Sequence, residues 1–211
     1  MSLSSRAGRA SRSSRAPRRT LLAVGVLSAA LALSACGGDS NGKSGGGGDT
    51  NFVTNTGGIS TAAKGERAAT GKLAGETLDG KQLDVADLKG KIVVLNAWGS
   101  WCSPCRAEAP HFVKVAKDLK GKGVEFVGLN TRDPNKQPAL AFEEDYGVPY
   151  PSLYDPQGKL ILFGFPKGTL SLQGIPSTVV LDKEGKIAAR SLMALDEEKL
   201  RSMIEPLLKE K

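Results

Sequence analysis

Two cysteines separated by two residues are the clearest chemical feature of this chain. Residues 92–106 read IVVLNAWGSWCSPCR, so an apolar run leads directly into the stretch that contains Cys102 and Cys105. Two thiols at this spacing can close a small ring and reopen it, and the N-terminal end of a helix favours the thiolate of the first cysteine. The pair therefore predicts thiol–disulfide exchange.

The same pair leaves two structural alternatives open. One is a disulfide without a reactive role, although cysteines that staple loops usually lie farther apart in sequence. The other is half of a zinc site, for which a chain with three cysteines and one histidine offers no second ligand pair. Because a lone imidazole without clustered partners rarely makes a site, we expect His111 to be structural or exposed.

The first 36 residues have the parts of an export signal. Residues 1–19 hold six arginines and no acidic residue, and residues 21–35 are apolar. An apolar core of 15 residues is short for a bilayer span, which needs about 20. The quartet LSAC that ends at Cys36 resembles a bacterial lipobox, so we expect cleavage after residue 35 and lipidation of Cys36. An ordinary secretory signal with an incidental cysteine is the alternative, and an Arg-Arg pair leaves the twin-arginine route open.

The charge balance argues against a nucleic-acid-binding protein. The formal net charge is +7, but removal of the six signal arginines leaves 23 basic against 22 acidic residues. The mature protein is therefore nearly neutral and has no basic stripe with interleaved aromatic residues, so we expect no contact with nucleic acid.

Composition divides the exported part into a tether and a single domain. Residues 37–60 are rich in Gly, Ser, Asn and Thr and cannot bury a core. We therefore predict that residues 36–70 form a flexible tether with a reach of roughly 30 Å. Residues 71–211 have the usual size of one domain.

Within that domain the hydrophobic pattern alternates between strands and helices. The predicted elements are a hairpin at residues 73–84, a buried strand at 91–97, a helix from Pro104, a strand at 124–130, a helix at 138–146, a brief strand at 150–154, a hairpin at 178–192 and a final helix capped by Asp196. Residues 155–174 show no clean period and are predicted to form a helix or a loop. This order of elements predicts an α/β sandwich.

Three motifs together resemble a thioredoxin fold over residues 73–208. They are the WCxxC loop between a strand and a helix, Pro110 inside that helix, and the run GIPST at residues 174–178 before a hairpin. The lipobox, the run NAW at residues 96–98, Glu108 and an inserted segment at residues 131–154 are similar to the membrane-tethered TlpA/ResA-like thiol-disulfide oxidoreductases. The resemblance implies a central mixed sheet with flanking helices, an N-terminal β extension and a central α/β insertion.

The resemblance also implies roles for the residues of the cysteine loop. Cys102 corresponds to the exposed nucleophile of the family, and Cys105 to the buried cysteine that resolves the mixed disulfide. Ser103 and Pro104 shape the ring and bias its reduction potential. Trp101 is expected to offer substrates an apolar docking face. Trp98 is a second candidate for that face, and a place in the core is the alternative for both tryptophans.

Pro176 corresponds to the cis-proline of the family, which packs beside the cysteine pair. A cis bond there leaves the preceding backbone free to pair with an extended substrate segment, and Ile175 is expected to face the sulfur atoms. A turn with a trans proline is the alternative.

One position departs from ordinary thioredoxins. They carry a buried aspartate six residues before the first cysteine, whereas this chain has Asn96, which cannot accept a proton. Glu108 matches a carboxylate near the dithiol in the ResA-like branch, so we expect it to tune the thiols or to accept the proton. A solvated helix glutamate is the alternative.

These features predict an exported, lipid-anchored thiol-disulfide oxidoreductase that acts as a reductant of protein disulfides and needs no bound cofactor. The resemblance implies that oxidised apocytochrome c, with its CxxCH haem-attachment site, is a substrate and that a membrane reductase of the CcdA type supplies electrons. A peroxiredoxin-like thiol peroxidase is an alternative, although the PxxxTxxC pattern is absent. A copper-binding or adaptor lipoprotein is another, but copper carriers on this fold use a wider cysteine spacing and a distant histidine.

Overall fold

The alternating pattern of the sequence forms strands and helices over residues 51–210, which the computed structural model describes. The strands in chain order are β1 (Val53–Thr54), β2 (Ile59–Thr61), β3 (Ala74–Glu76), β4 (Gln82–Asp84), β5 (Ile92–Trp98), β6 (Val124–Thr131), β7 (Ser152–Asp155), β8 (Ser177–Leu181) and β9 (Ile187–Ser191). The α-helices are α1 (Ser103–Leu119), α2 (Lys136–Tyr146), α3 (Lys159–Phe163) and α4 (Glu197–Lys209).

Seven of these strands form one mixed sheet. Their order across the sheet is β1-β2-β9-β8-β5-β6-β7. β5 pairs in parallel with β6 and antiparallel with β8, and all of its residues are buried, as a strand covered on both faces requires. The α/β class and the mixed sheet with flanking helices are confirmed.

The two faces of β5 belong to two different cores because side chains alternate along a strand. Ile92 and Val94 lie in a cluster with buried residues of α1 and α4, among them Phe112 and Ile204. Val93 and its like-facing neighbours pack on the other face with residues of α3 and of the N-terminal segments. Each face of β5 is therefore covered by a separate hydrophobic core.

The predicted extension and insertion are both present. β3 and β4 form an antiparallel hairpin, and an isolated bridge joins Thr77 to Leu153 of β7. α2 and β7 form the insertion after β6, and Gly147 ends α2 in the left-handed conformation with φ 62°. The segment predicted as helix or loop contains the short helix α3.

The predicted boundary between tether and domain at residue 71 is wrong. β2 pairs with β9 of the main sheet, and the side chains of Phe52 and Ala62 are buried. Arg67 is buried as well, in ion pairs with Asp182 and Glu210. A polar segment gains order here because an existing strand edge supplies its backbone partners, which its own composition does not reveal.

Other predictions concern residues that the structure does not describe. The signal peptide, Cys36 and residues 37–50 lie outside the described residues. Within residues 51–210 every helix is too short or too polar to cross a bilayer.

Candidate active site

The two cysteines lie at the start of α1, just after the end of β5. Cys102 is the N-cap residue of the helix, and its Sγ accepts a hydrogen bond from the backbone N–H of Cys105 over 3.3 Å. Ser103 and Pro104 fill the first two helical positions, where a proline costs no hydrogen bond. Cys102 and Cys105 are joined in a disulfide with their Cα atoms 5.3 Å apart.

The sulfur atoms of this disulfide are more enclosed than expected. Cys102, predicted to be exposed, is only 4% exposed, and Cys105 is 2% exposed. Both belong to an apolar cluster with Trp98 and Phe142, because the start of α1 packs between the sheet and α2. The solvent-facing part of the turn therefore consists of its exposed neighbours, Trp101, Ser103 and Pro104.

The two tryptophans of the loop have different environments. Trp98 is buried, stacks on Phe142 with ring centroids 4.4 Å apart, and donates its Nε1–H to Ser152 Oγ over 3.3 Å. Its placement is that of a core residue. Trp101 is half-exposed, and the guanidinium of Arg132 lies over its ring at 4.4 Å.

The proline loop reaches the same end of the sheet. The Ile175–Pro176 peptide bond is cis, as predicted. Because Ser177 pairs with Ala97 of β5, Pro176 lies beside the strand end that carries the cysteine turn. Ile175 packs against the cluster that contains both cysteines.

Glu108 is a buried carboxyl group rather than a solvated one. It is 2% exposed, and its two oxygens accept hydrogen bonds from Asn96 Nδ2 at 2.9 Å and from the backbone N–H of Leu195 at 3.0 Å. Burial raises the pKa of Glu108 to about 7, although these two hydrogen bonds lower it. The alternative of a solvated helix residue is therefore wrong.

Asn96, which donates to this carboxyl group, also lies near Cys105. Its side chain also approaches Thr178 Oγ1 at 3.4 Å, and it lines a small cavity together with Cys105 and Tyr150. Glu108 lies three residues after Cys105, on the same buried side of α1. Proximity to Glu108 and burial both raise the pKa of Tyr150, burial being the larger cause.

Comparison with known proteins agrees with this geometry. The family model described as Redoxin matches residues 63–205. This chain belongs to the Redoxin family. It is 32% identical over 130 residues to the thiol-disulfide oxidoreductase ResA of Bacillus cereus (strain ZK / E33L), a match that covers 62% of this chain and 71% of that protein.

Two solved structures extend the comparison to the fold. A DsbF homologue from Corynebacterium diphtheriae shares 39% identity with a TM-score of 0.66, over 71% of this chain and 93% of the other. A secreted thiol-disulfide isomerase from Corynebacterium glutamicum shares 30% identity with a TM-score of 0.67, over 72% and 93%. The fold is thioredoxin-like, and this Redoxin-family protein is a thiol-disulfide oxidoreductase.

The Redoxin domain contains one site residue that the sequence did not reveal. Asp133, in the loop between β6 and α2, is 1% exposed and accepts hydrogen bonds from Ser100 N at 2.9 Å, Ser100 Oγ at 2.5 Å and Asn130 Nδ2 at 2.7 Å. It thereby holds the residues just before the cysteines. The signal that could have pointed to Asp133 is the parallel pairing of β5 with β6. This pairing brings the C-terminal ends of both strands to the same edge of the sheet.

His111 takes no part in this arrangement. It is half-buried on α1, two turns beyond the cysteines, and directly follows the exposed Pro110 inside the helix.

Proposed function

We propose that this oxidoreductase reduces protein disulfides outside the cytoplasm. The observation that carries the proposal is the Cys102–Cys105 pair at the N-terminus of α1, beside the cis bond of Pro176 and one helical turn before Glu108. Backbone N–H groups at a helix N-terminus stabilise a thiolate on the first cysteine, which is the attacking species in disulfide exchange.

The reaction moves two electrons from the dithiol to the substrate. The Cys102 thiolate attacks one sulfur of a substrate disulfide, which forms a Cys102–substrate disulfide and releases the other substrate sulfur as a thiolate. Cys105, once deprotonated, attacks Cys102 Sγ and displaces the second substrate sulfur. The substrate leaves as a dithiol, and the enzyme is left with the Cys102–Cys105 disulfide.

Glu108 acts in this scheme as the acceptor of the Cys105 proton. A carboxyl group with a pKa of about 7 is partly ionised at neutral pH, so it can take up a proton and return it. The route runs from Cys105 along the cavity that Asn96 lines. Asn96 donates to Glu108 and so orients the carboxylate without competing for the proton.

The substrate segment binds across the exposed side of the turn. Trp101, Ser103 and Pro104 provide contact surface, and the backbone before Pro176, at Ile175, is free to pair with an extended chain.

The wider setting of the proposal comes from the N-terminal sequence and the homologues. A lipid on Cys36 would hold the enzyme on the outer face of the cell membrane, with residues 37–50 as the tether. The homologue from Corynebacterium glutamicum is described as secreted, in agreement with that location. We propose the CxxCH site of apocytochrome c as one substrate and a CcdA-type membrane protein as the electron donor. The redox group is the dithiol itself, without a bound cofactor.

The test uses the reduced full-length protein and a synthetic peptide that carries an oxidised CxxCH site. The Cys105→Ser variant should accumulate a covalent adduct whose mass exceeds that of the protein by one peptide, while wild type releases the reduced peptide. Cys102→Ser should form no adduct and reduce no peptide, and Cys36→Ser is the matched control that should behave as wild type. Adducts on Cys105 in the Cys102→Ser variant, or none in either variant, would overturn the mechanism.

A further inference from the structure

The exposed surface around the nucleophile turn carries two arginine side chains. The guanidinium of Arg132 lies 4.4 Å above the ring centroid of the half-exposed Trp101. Arg106 Nη1 donates to the backbone oxygen of Ser100 over 3.1 Å, and its guanidinium lies 5.6 Å from the ring centroid of Tyr146. Both arginines are exposed, and each contacts one of the two residues that precede Cys102.

Neither arginine forms an ion pair within the part of the chain that the structure describes. The ion pairs there involve other cations, such as Lys136 with Glu76, and none involves Arg106 or Arg132. Asp133 and Glu108, two carboxyl groups of the site, are buried and accept hydrogen bonds from internal groups. The face that meets a substrate therefore presents positive charge.

The backbone of Arg132 is held in an uncommon conformation. Its backbone has φ 60°, the left-handed region that a residue with a Cβ rarely adopts. The next residue, Asp133, fixes this conformation through its hydrogen bonds to Ser100 and Asn130. A strained position that persists because its surroundings over-determine it is a recognised mark of functional surfaces. The Arg132 side chain therefore starts from a fixed backbone position, and its guanidinium lies above Trp101.

We propose that Arg132, with Arg106, makes the enzyme prefer disulfide segments that carry an acidic side chain next to the reactive cysteine. The inference rests on the proposed function, because it names the substrate class of the same dithiol. A carboxylate beside the substrate sulfur approaches the guanidinium above Trp101 as the Cys102 thiolate attacks. A lysine at that place meets repulsion instead.

The test measures how fast the reduced full-length enzyme is oxidised by three peptides that share one cystine and differ in the flanking residue, which is Asp, Asn or Lys. Each second-order rate constant is divided by that of mercaptoethanol with the same peptide, which removes the intrinsic reactivity of the disulfide. At low salt the Asp peptide should then react about tenfold faster than the Lys peptide, and the ratio should fall towards one at high salt.

Variants of the two arginines distinguish the effect of their charge from the effect of their packing. Arg132→Gln should reduce the Asp-to-Lys ratio to about three, and adding Arg106→Gln should bring it near one. Arg132→Lys keeps the charge without the planar stack, so most of the preference should remain. Lys120→Gln removes the same charge at the far end of α1, roughly 25 Å away by helix length, and should leave the ratio at the wild-type value.

The outcomes distinguish this inference from the proposed function. Equal normalised rates for the Asp and Lys peptides, with the Asn peptide still reduced, would overturn the charge preference alone. A preference that survives in the double variant would overturn the assignment to these arginines. If none of the three peptides oxidised the dithiol, both the proposed function and this inference would fail.

Discussion

At the scale of single residues, Glu108 shows how position changes the acidity of an ordinary carboxyl group. Its sequence neighbourhood is an amphipathic helix with many exposed lysines, yet its side chain turns inward to Asn96 and Leu195. Desolvation disfavours the ionised form, and two donors offset only part of that cost. A carboxyl group with such a pKa makes folding stability depend on pH.

The sign of that dependence follows from proton binding. Between pH 4.5 and 7 the folded protein retains a proton on Glu108 that the unfolded chain has released, so stability falls as pH rises through this window. At about 1.4 kcal/mol per pKa unit, the oxidised wild type should lose about 3 kcal/mol relative to Glu108→Gln between pH 5 and pH 8. Urea unfolding at four pH values measures the difference. Exposed Glu205→Gln is the matched control, and a constant difference between wild type and Glu108→Gln would contradict the prediction.

At the scale of elements, the loop between β6 and α2 acts as a brace for the cysteine turn. Parallel pairing of β5 with β6 places both strand ends at one edge of the sheet, and Asp133 joins them through Ser100 and Asn130. The preceding residue, Arg132, has a left-handed backbone and places its guanidinium above Trp101. The buried carboxylate of Asp133 thus ties the start of the cysteine turn, at Ser100, to the end of β6, at Asn130.

Loss of this brace should be destabilising because it leaves the buried donor of Asn130 and the half-buried donors of Ser100 without their acceptor. Asp133→Ala should lower the free energy of unfolding by about 3 kcal/mol, since the donors on Ser100 and Asn130 lose their partner. Urea denaturation of the oxidised proteins measures the effect, and exposed Asp87→Ala should stay near wild type. If Asp133→Ala were as stable as Asp87→Ala, the loop would not be held by this carboxylate.

At the scale of the whole molecule, the segment that leads to Arg67 is joined to the C-terminal end of the domain. Arg67 lies between Asp182, in the β8–β9 turn, and Glu210, at the end of α4. Residues 143 positions apart in sequence are therefore joined through one guanidinium. β2 adds backbone pairing to β9 in the same region of the chain.

Removing this guanidinium should leave the Asp182 carboxylate buried without its cation. Arg67→Ala should lower the free energy of unfolding by about 3 kcal/mol, because breaking one side of a buried pair exposes the desolvation cost of the other. Lys81→Ala, which breaks an exposed pair with Asp79, should have a much smaller effect. Equal effects of the two substitutions in urea unfolding would show that the buried pair contributes no more than the exposed one.

Much of the fold and part of the site could be predicted from local patterns. The apolar run of β5, the spacing of Cys102 and Cys105, and the proline before β8 each carry their signal within a few residues. Such features depend on local sterics and hydrogen bonding, so they can be predicted from a few neighbouring residues of the sequence. The order of elements along the chain and the cis geometry of the proline agree with those predictions.

The remaining features depend on partners far away in the chain. A polar segment before residue 71 became part of the sheet because β9 offered it a free edge, and Cys102 became buried because α1 packs against residues of α2. The high pKa of Glu108 and the hydrogen bonds of Asp133 likewise come from neighbours that folding brings together. Desolvation and buried hydrogen bonding are properties of a three-dimensional environment, and the composition of a short segment carries no record of them.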